Sequence, residues 1–558
     1  MSNRMPVRLL RALAAAALVA VALAGCVGIP SGGGVNVGPA VGSDGDVSGA
    51  QLPSKPPPGA TKNEILTDFM QAVVSPESNY QIARAYLTAA AAQKWEPTKS
   101  VLVREGAPQT QDDGSGGITY TVTTKANIDQ SGVYSEQSST SSQSLSFSFA
   151  KVRGQWRIST LADGIVISRG TFGNAFAEQP LYFFDPTFEF LVPDVRLFPT
   201  GSTMPTRVVD ALLAGPAPSL QGGVVISAFP QGIKQQRAVE VRSSTATVDL
   251  SSEAASLKLT AQTQMLEQLQ ESLASSNISA VAVDVGGAPL SIPHVSAMGP
   301  AESVNSNALI LKGKKFGFWP KLTDIGRISS QVVALSPSAV VLSRKQTAAA
   351  ILAAGGVYMA TATTPAARLV DPRKGLIAPS IDPFGYVWSV PSTDGTAIRV
   401  TSSTGLTRGL SASLGGHPRI VSLQVSHDGT RVLLYLKTST GPQLVVLGVV
   451  RGDGNVPTGF GTPLLLPVSD ANPIDATWVD AESVAALGDI DGHDTVITYT
   501  VGGTGGDASI PVNARHIVGG SGEAILRLIT NDEQVFQLRS SGWQELVGMS
   551  ASLLATQQ

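Results

Sequence analysis

Cysteine is nearly missing from this chain: Cys26 is the single one among 558 residues. That excludes intramolecular disulfides and any cysteine-cluster metal site. Charge is scarce as well. Charged residues make up 15%, with 39 Lys+Arg against 42 Asp+Glu and a formal net charge of −3. This balance excludes a strongly basic nucleic-acid binder and an acidic disordered chain. Long apolar runs are also lacking. After residue 25 no stretch reaches the ~20 consecutive apolar residues that a spanning helix needs, which excludes a polytopic membrane protein. What is plentiful is material for cores and turns: 43% hydrophobic residues, 57 glycines and 35 prolines. Many turns imply much β structure, and the length predicts three or four folding units at about 150 residues each.

The lone cysteine stands at a telling place. Residues 1–26 read MSNRMPVRLLRALAAAALVAVALAGC. Arg4, Arg8 and Arg11 form a basic start, an apolar run spans Ala12 to Ala24, and Leu23-Ala24-Gly25-Cys26 closes it. These are the three regions of a bacterial secretory signal, and the ending resembles a lipobox. The resemblance implies removal of residues 1–25 and acylation of the Cys26 thiol with palmitate-type chains. Cleavage takes away three arginines and no acid, so the remaining body is more acidic. Attachment therefore has to come from the acyl chains, at ~0.8 kcal/mol per buried CH₂. Residues 26–60 form a flexible lipidated tether, rich in Gly32-Gly33-Gly34, Asp44-Gly45-Asp46 and Pro56-Pro57-Pro58-Gly59. Its expected reach is about 30 Å.

Order is expected from Thr61. Thr61-Lys62-Asn63-Glu64 has the form of a capping box, and Ile65, Phe69 and Val73 follow at helical spacing. A second helix is predicted from Pro76 with Ser75 as its cap, placing Ile82, Ala83, Tyr86 and Leu87 inward. Past Trp95 the period becomes two. Ile118, Tyr120 and Val122 alternate with threonines, and Leu145, Phe147 and Phe149 alternate with serines. Arg153-Gly154-Gln155 turns into Trp156-Arg157-Ile158. Two helices followed by a curved antiparallel sheet resemble an NTF2-like α+β unit, assigned to residues 61–178.

Residues 179–305 read differently. A helix is predicted around Thr206–Ala214, stopped by Gly215-Pro216. Strands follow at Ala238–Val241 and Ala246–Leu250. A helix over Ala261–Ala274 presents Met265, Leu266, Leu269 and Leu273 inward and its glutamines outward, and a strand over Ile278–Val285 ends at Gly286-Gly287. Leu212-Leu213-Ala214-Gly215-Pro216, Val248-Asp249-Leu250-Ser251 and the glutamine-rich helix resemble a GerMN module, a small α/β unit of exported bacterial proteins.

Residues 306–558 repeat. Leu335-Ser336-Pro337-Ser338-Ala339-Val340-Val341, Ile381-Asp382-Pro383-Phe384-Gly385-Tyr386-Val387-Trp388 and Val425-Ser426-His427-Asp428-Gly429-Thr430-Arg431-Val432-Leu433 are each a polar turn feeding an apolar strand. The turns at 336, 382 and 428 are evenly spaced, with weaker echoes at Val479-Asp480-Ala481-Glu482-Ser483 and Gly519-Gly520-Ser521-Gly522-Glu523. A repeat of about 40–50 residues built from short strands is the mark of an all-β propeller. Five blades are legible, and Leu309–Trp319 is expected to add strands to another. An irregular β-sandwich is the alternative.

Lipobox, tether, α+β unit, GerMN and propeller occur in one order. With LAGC at 23–26, Leu191-Val192-Pro193-Asp194-Val195-Arg196, LLAGP at 212–216 and Ser426-His427-Asp428-Gly429, the chain resembles the LpqB family of actinobacterial lipoproteins. The resemblance implies a cell-membrane lipoprotein on the extracytoplasmic face. It also implies partnership with the ectodomain of the sensor kinase MtrB of the MtrA–MtrB two-component system, in envelope homeostasis and division.

Recognisable reaction chemistry is sparse. Five histidines stand at 294, 417, 427, 493 and 516, without H-x-x-x-H or H-E-x-x-H spacing. They read as loop residues, and His427 as structural. Asp489-Ile490-Asp491-Gly492-His493-Asp494 starts like a calcium loop, but Asp494 stands where glycine is needed and Thr500 where glutamate is needed, so it reads as a solvated turn. Ser148-Phe149-Ala150-Lys151 fits S-x-x-K only formally, because strand alternation sends Ser148 and Lys151 to opposite faces. No G-x-S-x-G and no phosphate loop occurs. The expectation is a non-enzyme with no metal and no cofactor. The alternatives are a propeller hydrolase acting on envelope glycans or peptides through Asp382, Asp428 and Asp480, and a ligand-binding receptor. Trp319, Tyr386, Trp388, Phe536 and Trp543 read as blade core, and the propeller funnel as the docking surface.

Overall fold

The computed structural model describes residues 54–275, 277–293, 304–468, 471–509, 513–540 and 542–558. Cys26, the signal and most of the tether lie outside these residues, as does His294. No helix among the described residues is long and apolar enough to cross a membrane. Ala50–Gln558 form one compact unit with separate cores for its parts.

The first core begins where the capping box predicts. Thr61 Oγ1 accepts from the Glu64 N–H, and the Glu64 carboxylate accepts from the Thr61 N–H at 2.7 Å, starting α1 (Lys62–Ala72). Ile65, Leu66, Phe69 and Ala72 are buried along its inner face. The second helix, α2 (Glu77–Arg84), departs from expectation. Pro76 holds the N-cap place without a side-chain bond, and Ser78, Asn79 and Tyr80 take positive φ of 49°, 56° and 59°. Ser75 is therefore not the cap. The left-handed turn is held from downstream: Arg84 Nε donates to the Asn79 carbonyl at 2.8 Å, while Tyr80 packs against Trp95 at 6.0 Å. A third helix, α3 (Ala89–Lys94), follows, capped by Thr88.

A sheet in the order β4-β3-β2-β1-β5 covers these helices, with β1 (Ser100–Asp112), β2 (Ile118–Asp129), β3 (Tyr134–Val152), β4 (Gln155–Thr160) and β5 (Ile165–Ser168). Register shifts in β1 and β2 are bulges, which add twist and curve the sheet. Arg153 and Gly154, with φ of 50° and 80°, form the two-residue hairpin turn that joins β3 to β4. Ser148 and Lys151 are thus strand residues.

A short α4 (Arg169–Ala175) leads into a two-stranded ribbon, β6 (Phe176–Phe184) and β7 (Leu191–Pro199). The ribbon bridges two cores: Phe176 and Leu197 belong to the first, Leu181 and Val192 to the second. The second core holds α5 (Met204–Ala214), α6 (Leu259–Leu273) and the sheet β11-β10-β9-β8, with β8 (Glu240–Arg242), β9 (Thr245–Leu250), β10 (Ala280–Val285) and β11 (Ala288–Pro289). Parallel pairing of β9 with β10 requires a crossover, and α6 provides it. The glutamines of α6 do not all face outward. Gln262 and Gln268 are buried because the helix lies between the ribbon and the sheet. Gln268 Oε1 accepts the Ala228 N–H at 2.8 Å.

The remainder closes into a ring of six blades among the described residues, each a four-stranded meander, with a fifth short strand, Leu464–Leu466, paired to the third strand of blade 4. From the inner strand outward, blade 1 is Leu553–Gln557, Leu309–Lys312, Lys315–Phe318 and Thr323–Asp324. Blade 2 is Ala339–Leu342, Ala348–Ala353, Gly356–Thr361 and Arg368–Asp371; blade 3 is Ser380–Ile381, Val387–Ser389, Ile398–Thr401 and Thr407–Leu410. Blade 4 is Arg419–Val425, Arg431–Thr438, Gly441–Arg451 and Pro457–Phe460. Blade 5 is Asn472–Trp478, Ser483–Ile490, His493–Thr500 and Gly505–Ser509; blade 6 is Ala514–Val518, Arg527–Thr530, Gln534–Arg539 and Gly542–Ser550. A helix, α7 (Gly326–Leu335), links blades 1 and 2.

The blade missing from the five legible repeats is blade 1. Its inner strand comes from the far end of the chain and pairs with Leu309–Lys312 on one side and with blade 2 on the other. Six apolar clusters fill the gaps around the ring. Strand alternation divides each inner segment between two neighbours. Leu553 and Val340 lie between blades 1 and 2, while Leu554 faces blade 6 and Val341 faces Ile381 of blade 3. Each blade therefore completes the core of the next.

Candidate functional site

In a four-stranded meander, the turns from first to second strand and from third to fourth strand share one face of the ring. The turns from second to third strand and the links between blades share the other. We call these the seat face and the open face.

The repeated aspartates lie on the seat face and are used up in architecture. Asp382 Oδ1 accepts the Phe384 and Tyr386 N–H groups, while Oδ2 accepts the Trp388 indole and Arg451 Nη2 at 2.9 Å. Asp428 Oδ1 accepts the Thr430 N–H and the hydroxyls of Ser426 and Thr430, and its Oδ2 takes Arg431 Nη2 at 2.7 Å. Both carboxylates are buried. Burial opposes the charge on Asp428, but Arg431 and the two hydroxyls outweigh it and hold the carboxyl below its ordinary range. Asp480 caps its turn by accepting from the Glu482 and Ser483 N–H groups. A carboxylate fixed in this way is neither a poised acid nor a free base.

The other expected residues separate likewise. His427 is buried beside Asp428, and burial lowers its affinity for a proton. His417 is exposed, 3.6 Å from Asp394. His516 Nδ1 meets the Asp475 carboxylate, and His493 opens a strand. Asp491 and Gly492 are the two turn residues of a hairpin, with φ of 53° and 81°. No group of three or more His, Cys, Asp or Glu suited to a metal occurs among the described residues. Tyr386 and Trp388 are buried, and Phe536 and Trp543 pack between blades 5 and 6. Trp319 packs between blades 6 and 1.

What the structure does bring together is a junction of all three domains. Val192, Asp194 and Arg196 share one side of β7, and both charged residues are buried. Arg196 pairs with Asp194 through Nε and Nη2 at 2.9 and 2.7 Å. Its Nη1 donates to the Ser131 carbonyl of the first domain, and Nη2 also reaches the Gly215 carbonyl. Asp194 Oδ2 accepts the Ala217 N–H at 2.8 Å. The Leu191–Arg196 stretch and the Leu212–Pro216 turn thus meet in a single network. Two opposite charges at alternate positions of an otherwise apolar strand are the sequence signal for it.

The second domain sits on the seat face. Tyr182 donates its hydroxyl to Glu482 at 2.9 Å, and Glu178 accepts the Thr504 N–H and hydroxyl. Burial raises the Glu482 proton affinity, with Tyr182 acting in the opposite sense. Arg344 lies over the Phe190 ring at 5.4 Å. Glycine permits the closest approaches. A Cβ on Gly448 would stand 2.5 Å from the Ser219 carbonyl, and one on Gly502 would stand 2.8 Å from the Val195 carbonyl. The linker ends there too: Ser521 donates to the Val304 carbonyl, and Asn305 donates its N–H to Gln557. One face of the propeller is therefore the seat of this chain's own second domain. Between the three domains remains a cavity of about 170 Å³, lined by Tyr134, Val195, Leu220, Arg431, Leu464 and Val501 among others.

These features define a class: a multidomain protein in which a GerMN domain joins an N-terminal α+β domain to a β-propeller. Family models agree along the chain. They match "Lipoprotein LpqB, N-terminal domain" at residues 55–173, "Sporulation and spore germination" at 180–291 and "Lipoprotein LpqB beta-propeller domain" at 326–553. The chain belongs to the LpqB lipoprotein family. Lipoprotein LpqB of Cutibacterium acnes is 31% identical over 286 residues, covering 50% of this chain and 47% of the relative. That of Thermobifida fusca is 32% identical over 254 residues, covering 43% and 40%. The chain thus spans less than half the length of these relatives. Among solved structures, the first GerMN domain of the sporulation protein GerM from Bacillus subtilis is 20% identical, covering 23% of this chain and 94% of that one, with a TM-score of 0.18.

Proposed function

We propose that this chain is an extracytoplasmic lipoprotein, acylated on Cys26 and held at the cell membrane, that binds and modulates the ectodomain of an MtrB-like sensor histidine kinase. The observation that carries the reading is the junction. Three domains are joined by part-buried polar bonds into one body, while the recurrent carboxylates of the propeller are committed to turns and arginines. A body of this kind acts by contact. Anchoring both partners in one membrane raises their effective concentration, so that a weak contact is occupied. Modulation then requires different affinities for two kinase states.

The test is crosslinking of the full chain in its native envelope, with captured proteins identified by mass spectrometry. The expected result is a histidine-kinase ectodomain whose capture falls at least about tenfold in Cys26→Ala, as loss of effective concentration dictates. Absence of any such ectodomain from the wild-type capture overturns the reading.

The junction cavity favours a second reading, a small-ligand receptor. Its size is near the ~150 Å³ of an engineered apolar cavity that binds benzene. Titration with toluene should raise the thermal midpoint of the wild type and leave that of Leu464→Trp unchanged; no rise in the wild type removes this reading.

A further inference from the structure

The open face of the propeller divides by charge. Exposed cations occupy its turns and links over blades 1 to 4: Lys314, Lys315, Arg327, Lys374, Arg419 and Lys437. Two carboxylates reach solvent in this sector, Asp324 and Asp394, and Asp394 has His417 beside it; a third, Asp371, is buried and paired with Arg373 and Arg399. Over blades 5 and 6 the sign reverses, with Asp489, Asp491, Asp494, Asp532 and Glu533. Arg515 is the cation there, and its Nε and Nη2 donate to the Thr530 and Ser552 carbonyls. Such a cationic sector is unexpected by composition, since the chain carries an acidic excess.

Repetition does not account for it. The aspartates of the seat face recur in blades 3 to 5, where they close the first turns, and Asp382 and Asp428 are buried. The charges of the open face do not recur from blade to blade, and Lys314, Lys374 and Arg419 are exposed. The hairpin of blade 5 sets Asp489 directly opposite Asp494, a like-charge pairing that disfavours the strand ladder, while Asp489 accepts the Gly492 N–H of the turn and Asp494 the Ala514 N–H of the next blade. Among the described residues, Leu465 in the link from blade 4 to blade 5 is the one large exposed apolar side chain on a turn or link of this face, and a single side chain is not the continuous apolar face of a membrane-surface segment. An anionic bilayer would attract one sector and repel the other.

Building on the proposed function, we infer that the open face is the docking surface for the partner protein, with blades 1 to 4 receiving an acidic patch and blades 5 and 6 a basic one. Complementary potentials of this kind act mainly on the association rate and on the choice of partner. The face also lies opposite the seat of the GerMN domain, so docking there displaces no contact within the chain.

The experiment measures binding of the purified full-length chain to the purified kinase ectodomain as a function of salt. It compares the wild type with a Lys374→Glu, Arg419→Glu, Lys437→Glu variant. Wild-type affinity should fall as salt rises, and the triple reversal should weaken binding at least about tenfold, chiefly through slower association. If the wild type binds at no salt concentration, the kinase reading itself fails. If it binds without salt dependence, or if the triple variant binds as tightly, the kinase reading stands and the docking face is overturned. Vesicles containing phosphatidylglycerol form the third arm. Binding to them that the reversal abolishes, while ectodomain binding is unchanged, identifies a lipid surface and overturns the protein partner.

Discussion

The two faces of the propeller use the same amino acids for opposite ends. On the seat face, Asp382 and Asp428 are buried, accept backbone N–H groups and pair with Arg451 and Arg431. On the open face, Asp491 and Asp532 are exposed in hairpin turns, as are Lys374 and Arg419 in the links. Recurrence separates the two sets. An aspartate that returns in blades 3, 4 and 5 answers a requirement of those blades, which is to close the first turn; Ser343 does the same in blade 2. A charge that appears once answers no requirement common to the blades; some of these bond locally, as Asp494 does to the Ala514 N–H, and the exposed ones such as Lys374 and Asp532 are left for the surroundings. In a repeat protein, the candidates for function are thus the residues that break the period.

The sharpest way to break this comparison is to remove a seat-face charge. Asp428→Asn leaves the Arg431 guanidinium buried over Trp478, 4.9 Å from the ring, with its carboxylate gone. Removing one partner of a buried pair costs about 3–5 kcal/mol, which denaturant unfolding of the full chain will read. The pH dependence has a definite sign. The folded carboxyl titrates below its ordinary range, so its contribution is complete above the unfolded pKa and is lost as pH falls through the folded one. The wild type should lose stability in acid more steeply than the variant. An equally steep loss in Asp428→Asn would mean that other carboxylates govern acid unfolding.

How much of this was legible depends on how local the cause is. The capping box at Thr61 and the period-two strands are written within a few residues each, and the structure contains them; of the evenly spaced turns, those at Asp382 and Asp428 join the first strand of a blade to its second, whereas Ser336 ends the helix before blade 2. The short helix Ala89–Lys94 went unread because AAAAQK has no apolar stripe. The turn at Ser78–Tyr80 depends on Arg84, a contact no propensity records. Gln268 is buried because two layers enclose its helix, which periodicity cannot reveal. Blade 1 shows in the sequence only as the Leu309–Trp319 strands, because its inner strand comes from the opposite end of the domain. The seat of the GerMN domain was least legible of all. It is made of carbonyls against Gly448 and Gly502: Gly502 looks like an ordinary turn residue in sequence, and Gly448, inside the apolar run of a strand, signals a close backbone approach without saying to what.

That seam supplies the next test. Gly448→Ala places a methyl against the Ser219 carbonyl and the Val224 side chain. Overpacking of this kind costs about 1–3 kcal/mol. Because the clash lies between domains, calorimetry should show the GerMN and propeller transitions separating, whereas a clash within blade 4 would lower a single transition. Glu482 offers a milder probe of the same seam. Burial raises its pKa, so its ionisation opposes folding, and stability is lost as pH rises from the unfolded value through the folded one. Glu482→Gln retains an acceptor for Tyr182 and carries no charge. It should raise the thermal midpoint at pH 7 and leave it unchanged at pH 4.

The smallest stability effect belongs to the open face, and its smallness is the point. Lys374, Arg419 and Lys437 are exposed, and Lys437 donates to Asn472 at 2.8 Å. Surface substitutions away from structural features change stability by no more than about 0.5 kcal/mol. Reversing all three should therefore leave the thermal midpoint near that of the wild type, while the same variant loses partner affinity. Asp428→Asn should behave inversely, with stability lost and the binding of the remaining folded fraction unchanged. If the open-face reversal also destabilises the ring, those charges are part of its architecture, and the contrast between repeated and unrepeated residues no longer separates structure from recognition.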